Sequence, residues 1–200
     1  MTTLATKLLK SIRGKRRGAV FTTKHFLHFG SRAAVDQGLS RLARRGFIRR
    51  LGRGLYDYPK IDPRLGKLAP APDAVARALA GRDSSRIQVT GAQAANLLGL
   101  STQVPARVVY LTDGDSKTVK IGRQTIELRR AAPRRMITAG RTSGTIIEAL
   151  RYLGKNRTDD RVVDILRNTL SKQDKTAVKR DARNAPGWMR PVIERITKPE

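Results

Sequence analysis

The sequence predicts an α+β chain in which three helices and a small hairpin precede a mixed α/β region that has a small antiparallel sheet and a helical C-terminal part. Three observations predict it. Apolar residues recur at helical spacing over residues 1–46, with glycines and hydroxyl residues at the segment ends. Directly after Gly46 the period becomes alternating around a Gly-Arg-Gly turn. Beyond a proline-rich stretch, short alternating segments give way to a long helical run.

Taken in order, Leu4, Leu8, Leu9 and Ile12 share one helical face, and Gly14 is a natural stop. "AVFT" at residues 19–22 reads as a short apolar run behind the cluster Lys15, Arg16 and Arg17. "TTKHFLHFG" offers threonine caps for a brief second helix ending near Gly30. Ser31 is placed to cap a third helix, in which Val35, Leu39 and Leu42 step at i, i+4 and i+7 and Gly46 closes the segment. Its opposite face carries Arg32, Asp36, Gln37, Ser40, Arg41 and Arg44. "FIRRL" and "LYDY" are strand-like pieces joined by Gly52, Arg53 and Gly54, because glycine supplies the positive φ of a tight turn. Three helices followed by such a hairpin describe a winged helix-turn-helix over residues 1–60, with Tyr56 and Tyr58 as anchors packing the wing against the body.

Residues 59–73, "PKIDPRLGKLAPAPD", hold four of the nine prolines. Proline removes a backbone donor and restricts the residue before it, so residues 61–72 are expected as an extended linker. A second domain follows over residues 73–200. Within it "PDAVARALAGRD" reads as a helix, "RIQVT" as a strand, and "TGAQAANLLGLS" as a small-residue helix stopped by Gly99. "ARVVYLTDGDSKTVKIGRQTIELRR" reads as a three-stranded antiparallel meander with turns at Asp113–Gly114–Asp115 and Gly122–Arg123. Helices are expected near 143–153, 159–170, 174–184 and 186–196, the first three opened by Ser143, Asp159 and Asp174 as caps.

Charge narrows the function. Lys and Arg number 42 against 16 Asp and Glu, a formal net charge of +26. Residues 1–60 hold 15 basic and 2 acidic residues, or +13, and the remaining 140 residues carry the other +13. Such a field gathers polyanions, and the first sixty residues are its densest source. No run approaches the roughly 18 apolar residues of a membrane span, and the basic cluster follows the first amphipathic turn instead of preceding an apolar core, so no membrane partner and a cytoplasmic location are expected. With no cysteine and only His25 and His28, neither a metal site nor a cofactor is expected.

In a winged helix the third helix meets base edges in the major groove and the wing lies along the flanking backbone. Arg32, Gln37 and Arg41 are therefore the candidate base readers, and Lys15, Arg16, Arg17, Arg45, Arg49, Arg50 and Arg53 the candidate phosphate contacts. Ser31 could add a backbone contact at the helix N-terminus. Duplex RNA fits less well, since its major groove is too narrow for a helix, and exposed aromatics for stacking are scarce. One catalytic alternative is a Mg²⁺-dependent nuclease built on Asp113, Asp115 and Glu127. It is disfavoured because Arg129 stands where such sites carry lysine, and because an Asp-Gly pair is ordinary turn chemistry. No enzymatic activity is expected.

The phrases "GRGLYDYPK", "GAQAANLLGLSTQVPARVVYLTDG", "IGRQTIELRRAAPR" and "APGWM" resemble the motifs of the AbiEi-type antitoxin family, the regulatory halves of type IV toxin–antitoxin pairs. The second phrase is the long and unusual one. The resemblance runs from about Gly18 to the last helix and implies a winged-helix domain that represses its own operon at an inverted-repeat operator. It also implies a C-terminal domain that counters a nucleotidyltransferase-like toxin. The family opposes its toxin without a stable complex, so no physical toxin contact is implied. Carried over residue by residue, the resemblance assigns 52–58 to DNA and Asn96, Ser101, Thr102 and Gln103 to antitoxin action. The alternative is a stand-alone nucleic-acid-binding transcriptional regulator with no toxin partner.

Overall fold

The computed structural model describes residues 3–81 and 84–198. The fold is mixed α/β with small sheets, and the chain divides into two compact units, Met1–Ser84 with Val119–Arg123, and Ser85–Thr118 with Gln124–Glu200.

The first unit begins with α1, Leu4–Gly14, capped by the Thr3 hydroxyl, which accepts the Thr6 N–H. Strand β1, Val20–Thr22, leads into a 3₁₀ segment, Thr23–Phe29. Then come α2, Arg32–Arg44, and the strands β2, Arg49–Gly52, and β3, Leu55–Asp57. These strands form one antiparallel sheet in the order β1-β3-β2. The apolar stripes read from the sequence meet between the helices and this sheet: Leu8, Ile12, Phe21, Phe26, Val35 and Leu39 are fully buried. Phe21 and Phe26 pack edge to face, with ring centroids 5.3 Å apart. Gly38 lets α1 approach α2 closely, because a Cβ there would stand 2.6 Å from Leu8 Cδ1.

Residues 61–72 are not an extended connector. Ile61–Asp62 (β4) and Gly66–Lys67 (β5) pair as a two-stranded hairpin. Asp62 makes the turn: its carboxylate accepts the N–H groups of Leu65 at 2.9 Å and Arg64 at 2.8 Å. Those two donors hold its carboxyl below the usual range. Proline removes donors, but an Asx turn needs only those of the residues after it. Helix α3, Pro72–Gly81, then buries Val75, Ala76 and Leu79 and packs against β1, so the first compact unit runs past the boundary expected at residue 73.

In the second unit β6, Ile87–Val89, is followed by α4, Gly91–Leu97, and by β7, Arg107–Thr112; next in the chain come β8, Lys117–Ile121, whose residues 119–121 are grouped with the first unit, and β9, Gln124–Arg130, in the second. The sheet order is β6-β7-β9-β8, with β7 parallel to β9 in a register running from Arg107↔Thr125 to Thr112↔Arg130. This replaces the expected meander. Val108, Tyr110, Ile126 and Leu128 are buried, so the two apolar strands lie side by side, while lysine-bearing β8 takes the edge. Turn signals locate hairpins; they do not say which strand is inserted between two others.

Four helices complete the unit: α5, Thr142–Leu153, α6, Asp160–Thr169, α7, Lys172–Asp181, and α8, Met189–Thr197. Asp159 caps α6 as expected, accepting the Val162 N–H at 3.0 Å. Two other caps differ. Ser171, not Asp174, caps α7, and it also donates its hydroxyl to Asp174. Ser143 lies inside α5 and donates to the buried Asp181 at 2.7 Å, beside Arg141 at 3.1 Å. Burial pushes the Asp181 carboxyl up, but the Ser143 hydroxyl and the Arg141 guanidinium outweigh it and hold it low. Arg135 likewise grips the buried Glu148 through two hydrogen bonds, at 3.2 and 2.7 Å.

Candidate nucleic-acid interface

Helix α2 stands on its Ser31 cap, whose hydroxyl oxygen accepts the Ala34 N–H at 3.3 Å. Ser31 thus has a structural task whatever else it touches. Because Val35, Leu39 and Leu42 are turned into the core, Arg32, Gln37 and Arg41 face outward and are exposed. The preceding 3₁₀ segment is fixed by a capping box, in which the Thr22 N–H donates to His25 Nδ1 at 3.2 Å. Burial, with Lys15 and Lys24 nearby, lowers the pKa of His25, although its backbone contact at Thr22 works the other way.

Opposite α2, the β2–β3 hairpin turns at Gly54, whose φ of +65° favours glycine. Arg50 and Arg53 project from it into solvent. The hairpin, the 3₁₀ segment and the outward face of α2 enclose a groove of about 750 Å³. Lys24, Arg32, Arg50 and Arg53 bring positive charge to it, and Gln37 and Ser40 bring hydrogen-bonding groups. Its lining also includes Thr23, Asp36 and Tyr56. The Thr23 hydroxyl donates to Asp36 Oδ1 at 2.5 Å, and the Tyr56 phenol is pushed up chiefly by burial, against the opposing charge of Arg50 and with a smaller contribution from Asp36.

The structure brings together only part of the predicted set. Arg32, Gln37, Arg50 and Arg53 line the groove. Arg41 and Arg45 are exposed on α2 and at its C-cap, outside the groove lining. Lys15, Arg16 and Arg17 lie ahead of β1, at the end of that strand away from the hairpin turn, since Val20 pairs with Asp57 and Thr22 with Leu55. Arg17 stacks 4.8 Å above the Tyr58 ring and donates to the Pro59 carbonyl. Lys15 sits 5.8 Å over Phe26.

Arg49 stands apart from the other candidate phosphate contacts. Its guanidinium binds the buried Asp57 carboxylate through Nε at 3.1 Å and Nη2 at 2.6 Å, and donates to the Leu68 carbonyl at 2.7 Å. With Nε and Nη2 engaged in this way, Arg49 has a structural task at the foot of the hairpin. Groove-lining residues to which the sequence reading gave no role include Thr23, Lys24 and Asp36. The Arg32–Asp36 spacing of one helical turn was the available signal for Asp36.

Near α4, Asn96 donates its side-chain amide to the Ser101 carbonyl at 3.0 Å and to the Gln103 carbonyl at 3.3 Å, and the Ser101 hydroxyl oxygen accepts the Gln103 N–H. Asn96 and Ser101 thus shape the loop, while Thr102 and Gln103 are exposed on it. Two acids of the nuclease alternative, Asp113 and Glu127, have arginine partners. Asp113 is bound by Arg86, whose guanidinium is the main reason its carboxyl is lowered. Glu127 is bound by Arg129 at 3.0 Å, with Arg107 at 3.9 Å. Among the described residues no group of three or more His, Cys, Asp or Glu could hold a metal ion. None of their helices is long and apolar enough to cross a membrane.

A family model, a family of unknown function termed DUF6088, matches residues 7–178. The chain belongs to that family. No curated protein matches it. Among solved structures it is similar to the crystal structure of the RV2827C protein from Mycobacterium tuberculosis, with 13% identity and a TM-score of 0.51 over 97% of this chain and 76% of that one. At that identity the likeness concerns the fold alone.

Proposed function

We propose that this member of the DUF6088 family is a transcriptional repressor whose first unit is a winged helix that binds duplex operator DNA. We further propose that it is the antitoxin half of a type IV toxin–antitoxin pair. The observation that carries the DNA reading is the groove, whose walls are the outward face of α2 and the arginine-bearing hairpin. That is where a reading helix and a backbone-clasping wing would have to stand. The element order helix, strand, short helix, helix, hairpin supports the same reading.

The test is fluorescence anisotropy of labelled duplexes in a salt series. Binding whose log K falls linearly with log salt is expected, with a slope near 0.9 for each phosphate neutralised. Absence of duplex binding at low salt would overturn it. The toxin half of the proposal rests on the sequence phrases alone, and co-expression decides it: the adjacent reading frame should stop growth when expressed alone and permit it with this chain. If the neighbour is harmless, the stand-alone regulator remains.

A further inference from the structure

Among the described residues lining the groove, Asp36 is the one carboxylate, set within a wall of lysine and arginine. Its place is not accidental surface charge. Thr23, itself only 5% exposed, donates its hydroxyl to Oδ1 at 2.5 Å, which fixes the side-chain rotamer from the 3₁₀ segment. Oδ2 stands 3.9 Å from Arg32 Nε, too far for a hydrogen bond to that nitrogen. The side chain keeps 46% of its surface exposed, and in sequence Asp36 adjoins Gln37, one turn after Arg32 and one turn before Ser40.

An ionised carboxylate accepts hydrogen bonds and repels phosphate. In a module of such positive charge it therefore weakens binding to every duplex alike. It favours a sequence only where a base edge offers it a donor. In the major groove the donor matched to Asp or Glu is the 4-amino group of cytosine. We propose that Asp36 is a specificity-determining residue that accepts a hydrogen bond from a cytosine amino group, with Thr23 holding it in register. This deepens the duplex-DNA reading above and rests on it.

The experiment starts with the full-length protein and a random-sequence duplex pool. The enriched duplex and a shuffled duplex become the probes for wild type, Asp36→Ala and Asp36→Asn, with circular dichroism checking the fold. Asp36→Ala should bind the shuffled duplex at least as tightly as wild type and lose roughly tenfold of discrimination at one C·G pair. Asp36→Asn keeps an acceptor for Thr23, and should move the preference at that pair from cytosine toward adenine, which an amide reads with a donor and an acceptor together. Should Asp36→Ala fail to fold, the Asp36→Asn preference decides. Undiminished discrimination at every C·G pair would overturn the inference while leaving duplex binding intact, as would a loss confined to a guanine contact or spread over all pairs. A pool that yields no enriched sequence would remove sequence-specific reading, and the role of Asp36 with it.

Discussion

The foot and the turn of the β2–β3 hairpin carry arginines a few residues apart that do opposite things. At the foot, Arg49 is opposite Asp57 in the register and is locked to a carboxylate that is only 1% exposed. One position on, Arg50 pairs with Tyr56 and extends into solvent, as does Arg53 at the turn. Successive side chains of a strand leave opposite faces, so neighbours in sequence have different surroundings. The second unit repeats the first arrangement in Arg135 with Glu148 and Arg141 with Asp181. Arg49, Arg135 and Arg141 are each held by a buried carboxylate, whereas Arg50 and Arg53 extend into solvent.

The sharpest way to break this contrast is Arg49→Ala, which strands the Asp57 charge in the interior. It should lower stability by about 3–5 kcal/mol, read by urea or thermal unfolding. A loss of only a few tenths would show that the pair contributes little. In the second unit Arg135→Ala should cost less, about 1–3 kcal/mol, because Arg151 remains 3.4 Å from Glu148. An effect as large as that of Arg49 would mean that Arg151 does not compensate.

Arg50→Ala and Arg53→Ala should leave stability within about 0.5 kcal/mol. Their effect belongs to binding: each should reduce the salt slope for duplex DNA by roughly one unit, without changing preference among sequences. An unchanged slope would take the hairpin out of the interface.

The smallest effect concerns His25, at the start of the 3₁₀ segment that forms one side of the groove. Its folded-state pKa lies below the ordinary 6.5, chiefly through burial, so the folded state disfavours the proton. Its contribution is present above 6.5 and lost as pH falls through the lower folded value. Unfolding measured between neutral and mildly acidic pH should show a decline that His25→Asn reduces. An identical decline in the variant would assign it to other groups.

Much of the first unit was legible because its signals are local. Ser31 before an apolar period of 3.6 and the Gly52–Gly54 turn between alternating strands each act within a few residues, and the caps and hairpin stand where the sequence puts them. The meander failed because the placing of β9 beside β7 depends on burying Val108, Tyr110, Ile126 and Leu128 together, which no turn encodes. The extended linker failed for a related reason. Proline content outweighed the one aspartate whose side chain closes the β4–β5 turn.

By itself the sequence determined the charge, the helical and strand periods, and the residue types that could meet a polyanion. Only the tertiary structure decided which of those residues share a groove, since that depends on what folds opposite each of them. Arg49 meets Asp57 across a strand, Asp36 meets Thr23 across thirteen residues, and Lys15, Arg16 and Arg17 lie at the other end of β1. Charge is a property of the chain, whereas the partner of a charge is set by long-range pairing under the demand that buried carboxylates be satisfied.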